Sequence, residues 1–201
     1  DIQEIIDKEI LDSKDFRAGI IHSAYAQRPV TYPTVDICAY NDKGQILLAK
    51  KPNETGWRFV GGFVDRDDTC YEKAAKREFS EETGGCNLST LEYITSQKID
   101  DWRYGNEDSG IMTTLFLGGF GFGRIEPTDD ISELAWLDAN KFTSLEYITK
   151  NVMPEHVTLM ITLMEKVYKE KLIPNLGPFY TQRVEPVDPD IVVRDTTFNV
   201  K

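Results

Sequence analysis

One stretch, residues 70–83, constrains the fold more than any other part of this sequence. Thr69 and Glu72 have the spacing of a capping box at its start. Gly84 and Gly85 follow it, and glycine readily adopts the left-handed conformation that ends a helix. These boundaries predict a helix over residues 70–83.

The predicted helix changes character along one face. At 3.6 residues per turn, Tyr71, Ala74 and Ala75 share an apolar stripe that suits packing on a sheet. The next positions on that stripe are three glutamates, Glu78, Glu81 and Glu82. Like charges at these spacings cost a helix roughly 0.2–0.5 kcal/mol per pair, and burial would raise the cost. A hard divalent cation, Mg²⁺ or Mn²⁺, would offset it, because such ions prefer carboxylate oxygens. A solvated acidic face is the alternative.

A glycine pair lies upstream of this helix. Gly61 and Gly62 end a short predicted strand that begins at Trp57. Glycine lets the backbone approach a ligand closely. A strand end, a glycine pair and an acidic helix end together predict a site for a metal ion and a phosphate.

The rest of the chain predicts strands on both sides of this helix. Alternation at 35–40 and 46–49 around the turn 41–44 predicts a hairpin, and further strands are predicted at 91–97, 111–120 and 134–137. A second helix is predicted after Pro154, which suits a first helical turn. This order predicts an α/β fold, an α/β/α sandwich with a central mixed sheet. We expect an N-terminal helix (1–12) and connector within residues 1–33, a domain over 34–172 and an extension over 173–201.

The glycine pair, the loop and the helix closely resemble the Nudix box, G-x5-E-x7-R-E-U-x-E-E-x-G-U, where U is bulky and apolar. Its second half matches without a gap at Arg77, Glu78, Phe79, Glu81, Glu82 and Gly84. The first half departs from the pattern, because the loop after Gly62 is one residue longer than the motif allows. Counting back from Arg77 places Thr69 at the early glutamate position, whereas counting forward from Gly62 places Asp68 there. The final apolar position is Gly85.

The resemblance implies a Nudix-like sandwich that hydrolyses a nucleoside diphosphate linked to a moiety X, with Mg²⁺ or Mn²⁺. It implies that Glu78 and Glu82 are the principal metal ligands and that Glu81 is a further ligand or a base. Arg77 would orient a glutamate from outside the metal shell. Gly62 would contact both metal and substrate. A homodimer is expected by the same resemblance, through the 1–12 helix.

A finer resemblance concerns the substrate. Residues 57–65, the longer loop and residues 101–104 are similar to the ADP-ribose pyrophosphatase modules that are fused to nicotinamide mononucleotide adenylyltransferase. This likeness implies hydrolysis of ADP-ribose to AMP and ribose 5-phosphate. NADH, sugar nucleotides and diadenosine polyphosphates remain alternative substrates, and a non-catalytic nucleotide-sensing module remains an alternative function. The sequence starts at Asp1 without an initiator Met, which indicates a processed or truncated start and leaves open whether an upstream domain is missing.

Charge and composition limit the partners. The net charge of −11 disfavours nucleic acid and anionic membranes, and no run of about 18 apolar residues is present. A nucleotide must therefore be held by local groups, for which Arg58, Arg103 and the rim lysines Lys50 and Lys51 are candidates, with Trp102 for stacking. The resemblance also implies an assisting loop acid that acts as a base or a further ligand, and the candidates are Glu126, Asp129, Asp130 and Glu133. Three scattered cysteines predict a reducing compartment, hence a cytoplasmic protein.

Overall fold

The structure, a computed structural model, describes residues 13–26, 29–100 and 110–177. Its elements are, in chain order, α1 (Lys14–Ala26), β1 (Thr31–Tyr40), β2 (Gln45–Lys50), β3 (Val60–Phe63), α2 (Tyr71–Glu82), β4 (Asn87–Ile99), β5 (Gly110–Phe122), β6 (Glu133–Asp138), a 3₁₀ helix (Ala139–Thr143), α3 (Leu145–Asn151) and α4 (Pro154–Glu170). The helix predicted over 1–12 and the strand-like residues 191–193 lie outside the described residues.

A six-stranded mixed sheet forms the middle of the molecule. Its strands run in the order β4-β5-β1-β2-β6, and β3 pairs with β1 beside the short β1–β2 pairing. β1 and β5 are parallel from Thr31 opposite Gly110 to Tyr40 opposite Gly119, and the other pairs are antiparallel. The predicted central mixed sheet is confirmed.

Side chains on the two faces of β1 enter two separate cores. Val35 and Ile37 pack with Phe79 of α2, whereas Cys38 packs on the other face with residues of α4, including Leu159. Each face of the sheet is thus covered by a helix that contributes fully buried side chains. Burying each large aliphatic or aromatic side chain contributes about 1.5–3 kcal/mol. The predicted sandwich is confirmed, and β1 is buried on both sides.

The start of α4 follows the prediction from Pro154. Proline occupies the first turn, where its missing N–H costs no hydrogen bond. His156 lies in the same turn, and its backbone N–H donates to Met153 O at 2.9 Å. This turn carries the buried His156 side chain to the end of the sheet.

Two predictions about helices are wrong. Residues 13–33 were expected to be a connector, yet they contain α1 and the first residues of β1. The capping box is also absent from α2, because the helix begins one residue later. Cys70 is its N-cap and makes no side-chain capping hydrogen bond, and Thr69 is exposed.

None of the helices in the described ranges combines the length and hydropathy that crossing a bilayer requires. The three cysteines are free thiols: Cys38 and Cys86 are buried, and Cys70 is exposed.

Candidate active site

Two glutamates of α2 are buried against the sheet. Glu82 is 2% exposed and Glu78 is 9% exposed, and both extend the buried row that starts at Ala74. Tyr71 does not belong to this row, because burial begins one turn later and Tyr71 is 44% exposed. The acidic end of α2 therefore faces the protein rather than solvent.

The glycine pair makes room for both carboxylates. The Gly61 N–H donates to Glu82 Oε2 at 2.8 Å. Gly61 has a φ of 152°, and a Cβ there would lie 2.0 Å from Val35 O, so only glycine fits. A Cβ at Gly62 would lie 2.6 Å from Glu78 Oε2. The close approach expected at Gly62 is made by Glu78.

We expect Gly62→Ala to fold while losing at least about tenfold in any metal-dependent hydrolysis. The new methyl meets the mobile end of Glu78 rather than backbone, so Glu78 moves and the fold survives. Misplacing a catalytic group by about 1 Å can cost on the order of 10²-fold. Activity and Mn²⁺ affinity should fall with little change in melting temperature. Gly19→Ala, where a Cβ meets nothing within 4 Å, is the control. Unchanged Mn²⁺ affinity in Gly62→Ala would contradict this account.

Burial shifts the titration of both carboxyls. Burial raises the pKa of Glu82 to about 8, although the hydrogen bond from Gly61 and the charge of Lys51 oppose the shift. Burial also raises the pKa of Glu78, and Arg77 opposes that rise. The site without a cation therefore holds Glu82 protonated at neutral pH.

This shift predicts how the stability of the metal-free protein depends on pH. A carboxyl whose pKa is higher in the folded state contributes stability at low pH, and that contribution is lost as pH rises from 4.5 towards 8. In chelator, the melting temperature of the wild type should fall from pH 6.5 to pH 8, and Mn²⁺ should raise it more at pH 8. Glu82→Gln should flatten both trends. Equal slopes in wild type and variant would exclude Glu82 as the titrating group.

Arg77 ties α2 to the preceding loop. Its Nη2 donates to Asp68 Oδ2 at 2.7 Å and to Phe63 O at 3.0 Å. Its Nη1 donates to Glu78 Oε1 at 2.8 Å and to Glu81 Oε2 at 2.9 Å. These acceptors, Asp68 foremost, raise the pKa of Arg77 above its already high value. One guanidinium thus fixes the loop, the strand end and two glutamates.

Asp68 and Thr69, the two residues considered for the early glutamate position, differ in their contacts. Asp68 reaches Arg77 with both carboxylate oxygens, and it also accepts from the Asp65 N–H at 2.9 Å. The hydrogen bond from Arg77 lowers the pKa of Asp68. Thr69 is exposed. Asp68, and not Thr69, is the residue in contact with the helical motif.

Glu81 does not share the orientation expected for it. Its side chain is 53% exposed, whereas the side chain of Glu78 is 11% exposed. Glu81 lies at the edge of the face that buries Ala74, Glu78 and Glu82, and Arg77 holds it there. The predicted inward trio is therefore a buried pair with a third carboxylate beside it.

The loop after β5 brings two acids to Glu82. Oxygens of Glu82, Asp129 and Asp130 lie within 4.8 Å of one another, which makes them a candidate divalent-cation group. Of the other two acids considered from sequence, Glu126 pairs with Arg124 at 3.1 Å and Glu133 pairs with Lys50 at 3.2 Å.

The donor set fits a hard divalent cation. It consists of carboxylate oxygens, which Mg²⁺ and Mn²⁺ prefer. Glu82 is buried, so its carboxylate form requires a compensating positive charge. Lys51, which is hydrogen-bonded to Asp130, lies near Glu82 and favours the ionised form of Glu82. The buried Glu78 sits in the space left by Gly62.

A cleft of about 240 Å³ opens beside these carboxylates. Lys51 and Arg58 lie on its wall. Lys50 instead lies over the ring of Trp57, 4.1 Å from its centroid. Arg58 is nearly buried, at 14% exposure, and donates to Glu54 Oε1 at 2.8 Å. Arg103 and Trp102, the other predicted substrate contacts, lie outside the described residues.

Sequence reasoning missed two buried polar residues that line this cleft. Asp36 and His156 are 5% and 1% exposed and line it. The alternation of Asp36 with apolar residues predicted only the strand β1, and no role was assigned to Asp36. The available signal was the predicted α/β/α sandwich, because helices on both faces of the sheet leave its central strands without a solvent face.

Solved structures of other proteins share this fold. A likeness of fold is found to the NUDIX domain of Shewanella oneidensis NrtR complexed with ADP ribose, at 17% identity and a TM-score of 0.54, covering 73% of this chain and 97% of that chain. The MutT protein of Methanosarcina mazei Go1 is similar at 18% identity and a TM-score of 0.52, covering 69% of this chain and 96% of that one. The fold is thus of the kind shared by these MutT and NUDIX domains.

The family model for the NUDIX domain matches residues 30–156, and this chain belongs to the Nudix family. RNA pyrophosphohydrolases of Pseudomonas putida (strain KT2440) and Pseudomonas fluorescens (strain SBW25) are each 42% identical over 76 residues. The match covers 33% of this chain, and the chain spans about half the length of these relatives, 47%. The finer resemblance to adenylyltransferase-fused modules stays a prediction.

Proposed function

We propose that this chain hydrolyses a nucleoside diphosphate linked to X, with Mg²⁺ or Mn²⁺, and that its foremost substrate is ADP-ribose, cleaved to AMP and ribose 5-phosphate. The observation that carries the proposal is the burial of Glu78 and Glu82 against the glycine pair, beside a cleft with two basic side chains. Uncompensated carboxylates in that position would cost stability, and a divalent cation would repay it.

Each residue has a role in this proposal. Glu82 and Glu78 hold the cation, joined by Asp129 and Asp130. Glu81 is a further ligand or a base, and Arg77 orients Glu78 and Glu81. A divalent cation bound here supplies charge that neutralises the pyrophosphate and activates water for attack. We also propose that Gly62 contacts cation and substrate, and that the protein is a homodimer.

The cleft supplies the local cations that an acidic protein needs for an anionic substrate. Lys51 and Arg58 line it although the net charge is −11. Lys51 lies beside Asp130 and near Glu82, so a cation bound by these acids would free its ammonium group for a phosphate oxygen. We propose that Lys51 and Arg58 contact the substrate phosphates.

A 5′-triphosphate on RNA is the second candidate substrate. The observation in its favour is the 42% identity to RNA pyrophosphohydrolases over 76 residues. A polyanionic chain requires an extended basic surface, and a net charge of −11 disfavours one. ADP-ribose, which brings only two phosphates, suits the local cations better.

A substrate panel tests the proposal. ADP-ribose, NADH, a sugar nucleotide, a diadenosine polyphosphate and 5′-triphosphate RNA are incubated with Mg²⁺ or Mn²⁺, and the products are separated. We expect AMP and ribose 5-phosphate from ADP-ribose at the highest kcat/KM. Preferential release of pyrophosphate from RNA would favour the second candidate. Failure on every member would refute the enzymatic function and favour the nucleotide-sensing alternative.

A further inference from the structure

The loop between β5 and β6 lies against the carboxyl end of α2. Thr128 Oγ1 accepts a hydrogen bond from the Gly84 N–H at 3.0 Å and donates one to Glu81 O. The Thr128 N–H donates to Glu82 O at 3.3 Å. One residue of the loop thus contacts three backbone groups at the end of the helix that carries the glutamates.

These contacts complete the end of α2. The last turn of a helix leaves carbonyl groups that have no partner inside the helix. Two of them accept from Thr128, and the carbonyl that follows, Thr83 O, accepts from the Glu126 N–H at 3.3 Å. Gly84 leaves room for this approach, since a Cβ there would lie 3.1 Å from Glu126 Cβ. The loop is therefore held to the helix end by hydrogen bonds.

The two loop acids follow Thr128 directly. The Ile131 N–H donates to Thr128 O at 3.1 Å, which closes a turn over residues 128–131. Asp129 and Asp130 are the central residues of this turn, and their carboxylate oxygens lie within 4.8 Å of one another and of Glu82. The turn that starts on Thr128 therefore presents both acids to the helix.

The other end of the loop is fixed separately. Ile131 is buried, at 6% exposure, in the core that α2 shares with the sheet. The N–H and Oγ of Ser132 donate to Lys50 O at 2.8 and 3.0 Å. These two residues hold the chain after the acids, whereas Thr128 holds it before them. The acids are thus fixed on both sides, and Thr128 supplies the fixed point on the end of α2.

We propose that Thr128 is a positioning residue for the cation, because its hydroxyl fixes the loop on α2 and so sets the distance between Glu82 and the pair Asp129 and Asp130. The inference rests on the proposed function for the presence of a divalent cation, and it adds what holds the two halves of the site together. Groups that orient metal ligands from outside the metal shell contribute to metal affinity. Here the ligands come from a helix and from a loop distant in the chain, so their spacing depends on a contact between the two.

The hydroxyl, rather than the shape of the side chain, makes this contact. A threonine hydroxyl donates and accepts at the same time, and Thr128 uses both capacities. Valine has a similar shape and neither capacity. Thr128 is exposed, so water can replace both hydrogen bonds in a valine variant. We therefore expect the variant to lose the fixed position of the loop while its stability changes little.

Titration of Mn²⁺ into the full chain without substrate tests the inference. We expect Thr128→Val to weaken Mn²⁺ affinity by about tenfold, with a melting temperature in chelator close to that of the wild type. Thr128→Ser keeps the hydroxyl and should restore the wild-type affinity. Thr143→Val is the matched control, because Thr143 Oγ1 donates to Asn140 O at 2.9 Å in the 3₁₀ helix after β6. It should leave Mn²⁺ affinity unchanged.

A double-mutant cycle identifies the partner through which Thr128 acts. In Asp129→Asn/Asp130→Asn, whose loop has lost both carboxylates, Thr128→Val should cause no further loss of Mn²⁺ affinity. An equal loss in this background and in the wild type would overturn the inference, because Thr128 would then act on α2 alone.

The same titration separates this inference from the proposed function. Unchanged Mn²⁺ affinity in Thr128→Val, beside a wild type that binds Mn²⁺ and hydrolyses a nucleotide, would overturn the positioning role and leave the hydrolase proposal in place. Weakened affinity in Thr128→Val, beside a wild type that binds Mn²⁺ and hydrolyses nothing, would support the positioning role while the hydrolase proposal fails. A wild type that binds no Mn²⁺ would refute both.

Discussion

Replacing Glu82 with glutamine should abolish metal-dependent hydrolysis, by on the order of 10³-fold or more. The cation and its charge contribute several kcal/mol to the transition state, and each 1.36 kcal/mol is tenfold in rate. Glu82 is the member of the candidate group that is buried, and its Oε2 is fixed by the Gly61 N–H. Glutamine keeps the shape but loses the charge that recruits the cation. Steady-state kinetics with Mn²⁺ measure the loss.

The same variant should be at least as stable as the wild type in chelator at pH 8. Glutamine removes the buried charge whose ionisation opposes folding. Loss of activity together with retained stability separates a ligand role from a structural one. Glu72→Gln, an exposed acid in the first turn of the same helix, is the matched control and should behave as wild type. Activity within a few-fold of wild type in Glu82→Gln would rule out its assigned role.

Replacing Arg77 with alanine should cost on the order of 10²-fold in activity and about 2 kcal/mol in stability. The change leaves Asp68, Glu78 and Phe63 O without their shared donor. Residues that orient metal ligands typically contribute 10–100-fold. Breaking a buried charge pair costs about 3–5 kcal/mol, and the value here is lower because Arg77 is 26% exposed. Kinetics and urea unfolding measure the two effects.

Two further variants test whether the charge or the planar shape of the Arg77 side chain explains its role. Arg77→Lys keeps the charge but not the planar fork, so it should recover stability more than activity. Arg66→Ala removes an exposed arginine from the same loop and should be neutral. If Arg77→Lys restored full activity, charge alone would explain the role of Arg77, and its orientation of Glu78 would not.

The features predicted correctly from sequence are those whose signals are local. The end of α2 depends on two glycines of positive φ, Gly84 and Gly85, and the start of α4 on Pro154. Each of these is a property of one residue and its neighbours along the chain. At Gly62 the structure shows an approach by the Glu78 carboxylate, and contact of Gly62 with cation and substrate stays a prediction.

Features that depend on distant partners were missed or left open. Asp36 is buried because α4, far along the chain, covers its face of the sheet, and Thr113 of β5 supplies a hydroxyl. Asp129 and Asp130 were indistinguishable from two other acids until the fold placed them beside Glu82. Asp68 and Thr69 could not be separated by counting, because the loop before the helix is one residue longer than the Nudix-box pattern. The contact with Arg77 separates them.

The central claim is that carboxylates at the end of α2 and in the loop after β5 hold a divalent cation beside the cleft. A crystal soaked in MnCl₂ at pH 8 and measured at the manganese absorption edge tests it directly. The account predicts an anomalous peak within coordination distance of Glu82, accompanied by Glu78 or by Asp129 and Asp130, and no peak there in Glu82→Gln. Manganese bound only at other surface acids, with Glu82 uncoordinated, would contradict it.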